Sequence, residues 1–184
     1  MSTQTIAAAP QTTWTIDAAH TEVGFEVKHL MISRVRGRFG AVTGTIVLDA
    51  ADPSRSSVEA SIETASVDTR QEQRDAHLRS ADFFDVENHP AITFRSRAVE
   101  PAGAGRFRVT GDLAIRGVSR EVALDVSDDG RGRDPWGGER AAFSASLVID
   151  RRDFGLTWNQ ALETGGLLVA NDIRITLDVQ AVAA

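Results

Sequence analysis

The strongest constraint on this chain is an alternation of apolar and polar residues that recurs from Trp14 to Val179. Val23, Phe25 and Val27 alternate with Glu22, Glu26 and Lys28, and Phe107, Val109, Gly111, Leu113 and Ile115 with Arg106, Arg108, Thr110 and Asp112. Period two sends successive side chains to opposite faces, so each such stretch predicts a β-strand with one apolar and one wet face. Trp14–Ile16, Val58–Ile62, Ile92–Ala98, Val122–Val126, Phe143–Ile149 and Ile173–Val179 read the same way. Between Arg34 and Asp49 the apolar positions change parity near Gly40, from Phe39 to Val42, Ile46 and Leu48. One extra residue flips every later side chain, so a bulge or sharp bend is expected there. Strands of this kind need a shared interior, and no amphipathic helices exist to cover a flat sheet. The expected fold is all-β, an extended eight-stranded antiparallel barrel, which leaves no edge exposed; a sandwich is the alternative.

One segment breaks the rhythm, Thr69 to Pro90 (TRQEQRDAHLRSADFFDVENHP). Thr69 and Glu72 have the T-x-x-E spacing of a capping box, and residues 70–80 contain neither Pro nor Gly, so a short helix is predicted. Leu78, Phe83 and Phe84 are its apolar anchors, and His89-Pro90 returns the chain to an extended course. A second long irregular connection, Arg151–Asn171, carries Phe154, Leu156, Trp158 and Leu162, more apolar content than a solvated loop needs. Loops this long in compact domains are often lids, and Trp136, in a Gly-rich stretch (DDGRGRDPWGGE) that also reads as a loop, is a candidate to join it.

Composition narrows the function classes. Zero cysteines exclude disulfides, thiolate metal sites and cysteine nucleophiles. The four histidines, His20, His29, His77 and His89, lack ligand spacing, so no metal or cofactor is expected. A net charge of −6 argues against nucleic acid, and Arg34, Arg36 and Arg38 read as a solvated face. Residues 1–12 have neither a basic start nor a long apolar core, so a disordered tail, a cytoplasmic location and one domain over 13–184 are expected. No apolar run reaches the length of a membrane span.

The inward faces carry the functional question. Ala60, Ser96, Gly111 and Ala145 are small and sit near the middle of four strands, with Ile62, Phe94, Leu113 and Leu147 beside them. Aligned small residues would leave the barrel hollow at mid-height, whereas interdigitated large and small ones would fill it. A hollow tube suits a long hydrocarbon. Its expected wall is Phe25, Val27, Ile62, Phe94, Gly111, Leu113, Phe143, Ala145 and Leu147, with Phe154 and Trp158 from the second loop. Arg74 and His77 are the headgroup candidates, since arginine pairs well with phosphate or carboxylate. The same residues fit the wet face of a helix. An enzyme using Asp17, His20, Asp75 or His77 for acid–base work in the cavity is a competing class. A filled barrel acting as an interaction module, as a homodimer in one version, is another.

Several stretches together resemble the YceI-like family, the lipocalin-like polyisoprenoid-binding proteins. They are WTIDAAHTEVGFEVKHL, VRGRFGAVTGTI, RDAHLRSADFFDVENHPAITFRS, VTGDLAIRGVSREVAL, RRDFGL and NDIRITLDV, in family order across nearly the whole chain. The resemblance implies an antiparallel barrel around a long apolar pocket, with the RDAHL helix helping to close it. It also implies that the pocket holds a polyisoprenoid or quinone-like lipid, so binding, storage or transport with transient membrane contact is the expected role, and the sequence shows no convincing catalytic constellation.

Overall fold

The computed structural model describes residues 11–184. In chain order the strands are β1 (Thr12–Ile16), β2 (Glu22–His29), β3 (Ser33–Phe39), β4 (Val42–Leu48), β5 (Ser57–Glu63) and β6 (Val67–Asp68). The helix α1 (Glu72–Arg79) follows, then β7 (Ala91–Pro101), β8 (Arg106–Ile115), β9 (Val118–Arg133), β10 (Glu139–Asp150) and β11 (Val169–Ala183). All pairings are antiparallel, and β11 pairs back to β1, which closes the sheet into a barrel. The expected tail over 1–12 lies outside the described residues as far as residue 10; Thr12 already opens β1.

Three staves of the barrel are interrupted strands. β1 and β2 lie along the same edge of β11, β3 and β4 run on from one another, and so do β5 and β6. The break between Phe39 and Val42 falls at Gly40, where the apolar parity changes, and both flanking residues stay buried. Counting each interrupted pair as one stave gives eight staves. The hairpin from β8 to β9 turns on Arg116 and Gly117, both with positive φ, the requirement of a two-residue type I′ turn.

Three local expectations fail for physical reasons. Ala98 is exposed and Val99 buried, because a bulge between Ser96 and Ala98 reverses the faces of β7. Ser96 Oγ accepts a hydrogen bond from Val58 N at that irregularity. The capping box does not form either. Gln71 caps α1 through Arg74 N, while Thr69 is buried and donates its hydroxyl and N–H to Asp75. The Gly-rich stretch is mostly strand, since β9 runs on to Arg133 and only residues 134–138 turn.

Candidate functional site

The barrel interior holds two cavities. The inner one, about 190 Å³, lies toward the end capped by α1, and Phe25, Val27, Ile62, Leu113 and Leu147 are in its wall. No exposed residue lines it. The outer one, about 560 Å³, lies toward the end where β1 begins, with Trp14, Ile46, Val109, Phe143 and Ala145 in its wall. Arg131 and Glu139, both exposed, line it too, so this cavity reaches solvent. Phe94, Leu124 and Leu177 belong to both walls and form the waist between them.

The waist falls where the small residues suggested a hollow. A Cβ built on Gly111 would stand 2.7 Å from Phe94 Cζ and 2.4 Å from the Arg95 carbonyl oxygen. Phe94 fills the space that Gly111 leaves, so large and small residues interdigitate at that level. Ala145 faces the outer cavity instead. The interior is therefore hollow above and below a packed waist.

The end capped by α1 is closed by charge as well as by apolar packing. Arg151 is the one charged residue in the inner wall and is 4% exposed. Its guanidinium donates to the carbonyl oxygens of Ala170 (2.9 Å), Leu156 (2.6 Å), Trp158 (2.9 Å) and Val169 (3.4 Å). Burial pulls its pKa below the usual value. These bonds tie the start of the 151–168 connection to its return into β11. Phe154, 1% exposed, packs in the core, and Trp158 meets the rings of His77 and Phe83 at 4.7 and 5.4 Å. Neither lines the inner or the outer cavity. Trp136 does not join this loop. It is 87% exposed at the turn from β9 to β10, at the barrel's other end.

Arg74 and His77 lie outside both cavities. Arg74 donates to the hydroxyl and carbonyl oxygens of Thr69 at 2.7 and 2.9 Å, and His77 Nε2 meets Asp82 Oδ2 at 2.8 Å. The acid–base candidates are also elsewhere. Asp17 and His20 pair on the outer surface at 2.8 Å, with Arg140 on the same carboxylate oxygen at 2.7 Å. Arg140 and then His20 hold Asp17 below the usual carboxylate range. Asp75 is buried beneath Thr69. The stripe of Arg34, Arg36 and Arg38 is a solvated face, paired with Glu26 and Asp68.

Sequence reasoning passed over Arg151, because no periodic signal separates a buried arginine from its exposed neighbour Arg152. It also passed over Trp14, Leu124 and Leu177, although all three stand on apolar faces that period two had identified.

These features define a class, a closed eight-stranded antiparallel barrel with an apolar, partly hollow interior. The chain belongs to the YceI-like family: the YceI-like domain matches residues 14–181. A UPF0312 protein of Azotobacter vinelandii is 40% identical over 140 residues, 76% of this chain and 73% of that protein. Burkholderia cenocepacia BcnA superposes with a TM-score of 0.79 at 25% identity, covering 90% of this chain and 98% of that one. The Campylobacter jejuni YceI protein gives 0.72 at 34% identity, covering 90% and 95%. A polyisoprenoid-binding domain from Saccharophagus degradans shares the fold, with a TM-score of 0.69 at 15% identity over 94% and 99%.

Proposed function

We propose that this barrel binds a long-chain amphiphilic lipid of the isoprenoid type in its interior, for storage or transport. The observation that carries the reading is the pair of apolar cavities meeting at Phe94, Leu124 and Leu177. The outer cavity falls within the ~300–1,000 Å³ of small-molecule sites, and the inner one is smaller. A chain held in the outer cavity reaches the inner one only if the waist opens. Each methylene buried contributes about 0.8 kcal/mol without directional contacts, so such walls favour length over shape. The Saccharophagus degradans domain of the same fold is a polyisoprenoid-binding domain, which supports the same reading.

Binding is favoured over catalysis because Asp17, His20, Asp75 and His77 line neither cavity. No helix among the described residues is long and apolar enough to cross a membrane. Native mass spectrometry of the purified protein, followed by organic extraction, tests the proposal. A stoichiometric isoprenoid mass is expected. A clean apo mass that no added prenyl lipid shifts would sink it.

A further inference from the structure

Among the described residues six large apolar side chains are exposed, and four of them gather at one place. Leu30, Met31 and Ile32 make the turn from β2 to β3, at 39%, 58% and 87% exposure. Leu167, also at 39%, belongs to the connection that closes the inner cavity. The two segments are joined there. Leu30 N–H donates to the Leu168 carbonyl oxygen at 2.9 Å, and Met31 lies against Gly166. The other two are elsewhere, Val148 on β10 and Trp136 at the barrel's other end.

The turn carries residues that its geometry disfavours. Ile32 N–H returns to the His29 carbonyl oxygen at 3.2 Å, and the two residues between, Leu30 and Met31, have φ of 53° and 61°. Two left-handed central residues ordinarily call for Asn-Gly or Asp-Gly. Leucine and methionine left in solvent serve neither the turn nor the core, so they suit something outside the chain.

Size and charge say what that is. Four side chains on a narrow turn fall far short of the roughly 800 Å² per partner that a standard protein interface buries. A bilayer takes up a protruding apolar turn of any size. Behind the tip stand Lys28 and Arg34, opposite one another across the β2–β3 pair, and then Arg36. Glu26 serves both arginines, at 2.9 and 2.8 Å, and Lys28 has no ion pair among the described residues. Residues 155–168 add a single carboxylate, Glu163. The tip thus has a slight excess of cations in a chain whose net charge is −6. Apolar residues backed by cations match a bilayer with anionic headgroups.

We propose that the β2–β3 turn, with Leu167 beside it, docks on an anionic lipid bilayer. Met31 and Ile32 enter among the headgroups, and the 151–168 connection comes to rest against the membrane. This surface goes beyond the ligand reading and does not depend on what the barrel holds.

The chain has no cysteine, so Ile32→Cys and Trp136→Cys each take one environment-sensitive fluorophore, at opposite ends. The full chain with either label is mixed with vesicles of phosphatidylcholine, alone or with phosphatidylglycerol. A blue shift is expected from the label at residue 32 and none from that at 136, with tighter binding when phosphatidylglycerol is present. In co-flotation of unlabelled protein, Met31→Ser with Ile32→Ser is expected to lower vesicle binding about tenfold or more. Lys28→Gln is expected to lower it about fivefold, on the anionic vesicles only. All three side chains are exposed, so the fold should stand, and thermal melts check it. Equal shifts at both labels, or none at residue 32, would overturn the docking. So would self-association that the serine variant abolishes in a protein that ignores vesicles, since a second copy would then cover the tip. Lipid held in the barrel of a protein that ignores vesicles would sink the docking alone. An empty barrel that still docks would sink the ligand reading alone.

Discussion

The two ends of the barrel treat buried polarity in opposite ways. At the end capped by α1, the Arg151 guanidinium gives four hydrogen bonds to main-chain carbonyls and leaves the 151–168 connection tied to β11. At the other end the Trp14 N–H and Asp49 Oδ2 are buried without a hydrogen-bond partner among the described residues, on residues that line the larger cavity. Buried polar groups whose hydrogen bonds are satisfied by their own chain hold structure in place, whereas one left unmatched adds nothing to the hold of its own end. The lesson is that the closed end uses its buried polarity to hold its own connection, while the end that reaches solvent keeps the larger space in its interior.

The sharpest way to break this comparison is at Arg151. Replacing it with Met keeps the bulk but strips four carbonyls of their donor, and buried unmatched acceptors cost on the order of 1–3 kcal/mol each before relaxation. Urea unfolding should show a loss of about 3 kcal/mol or more. Lys should rescue only part of it, because one ammonium cannot reproduce the planar fork of guanidinium donors. A neutral Arg151→Met variant would mean the lid is held by its apolar residues alone.

The waist comes next. Gly111→Ala forces a Cβ against the Arg95 carbonyl oxygen and the Phe94 ring, and overpacking of this kind costs about 1–3 kcal/mol. Ala145→Phe, in the wall of the outer cavity, has room to fill and should cost less than about 1 kcal/mol while weakening lipid uptake strongly. Thermal melts and lipid titrations of the pair separate the two effects. If Ala145→Phe bound lipid as the wild type does, the outer cavity would not be the site.

Why some of this was legible and some was not follows from the range of each interaction. Period two is a local property, so the strands, the bend at Gly40 and the closure of the sheet could be read from sequence. The bulge at Ser96 could not be. Ile92, Phe94, Ser96 and Ala98 keep perfect alternation, and only the pairing of β7 with β8 exposes the slip that buries Val99. Thr69 shows the same limit, since its hydroxyl has two local uses and the chain took Asp75 over the helix cap. The wall residues Phe25, Val27, Ile62, Leu113 and Leu147 were visible as a face, but the waist depends on Phe94 lying across a neighbouring strand's glycine. The polar ends were hidden for another reason. Arg151 and Trp14 are distinguished by what surrounds them in space, and nothing beside them in the chain marks it.

The smallest expected effect again sets the closed end apart, and it is a pH effect. Asp150 brackets Arg151 from outside. It accepts from Arg152 N at 2.9 Å and pairs with the Arg152 guanidinium, caps the turn at residues 151–154, and makes no hydrogen bond to Arg151 itself. The Arg152 side chain, and then its N–H, lower the Asp150 pKa from 3.8 to about 2. A carboxylate depressed on folding adds stability that is present above its unfolded pKa and is lost as pH falls through the folded value. The contribution of Asp150 is therefore complete above about pH 4 and fades toward pH 2. Asp150→Asn should be less stable than the wild type at pH 6, and the gap in urea midpoints should close as pH approaches 2. A gap that stayed constant with pH would show that the cap works through hydrogen-bond geometry that an amide reproduces poorly, and not through the charge. The cap would then secure the lid equally well in acid.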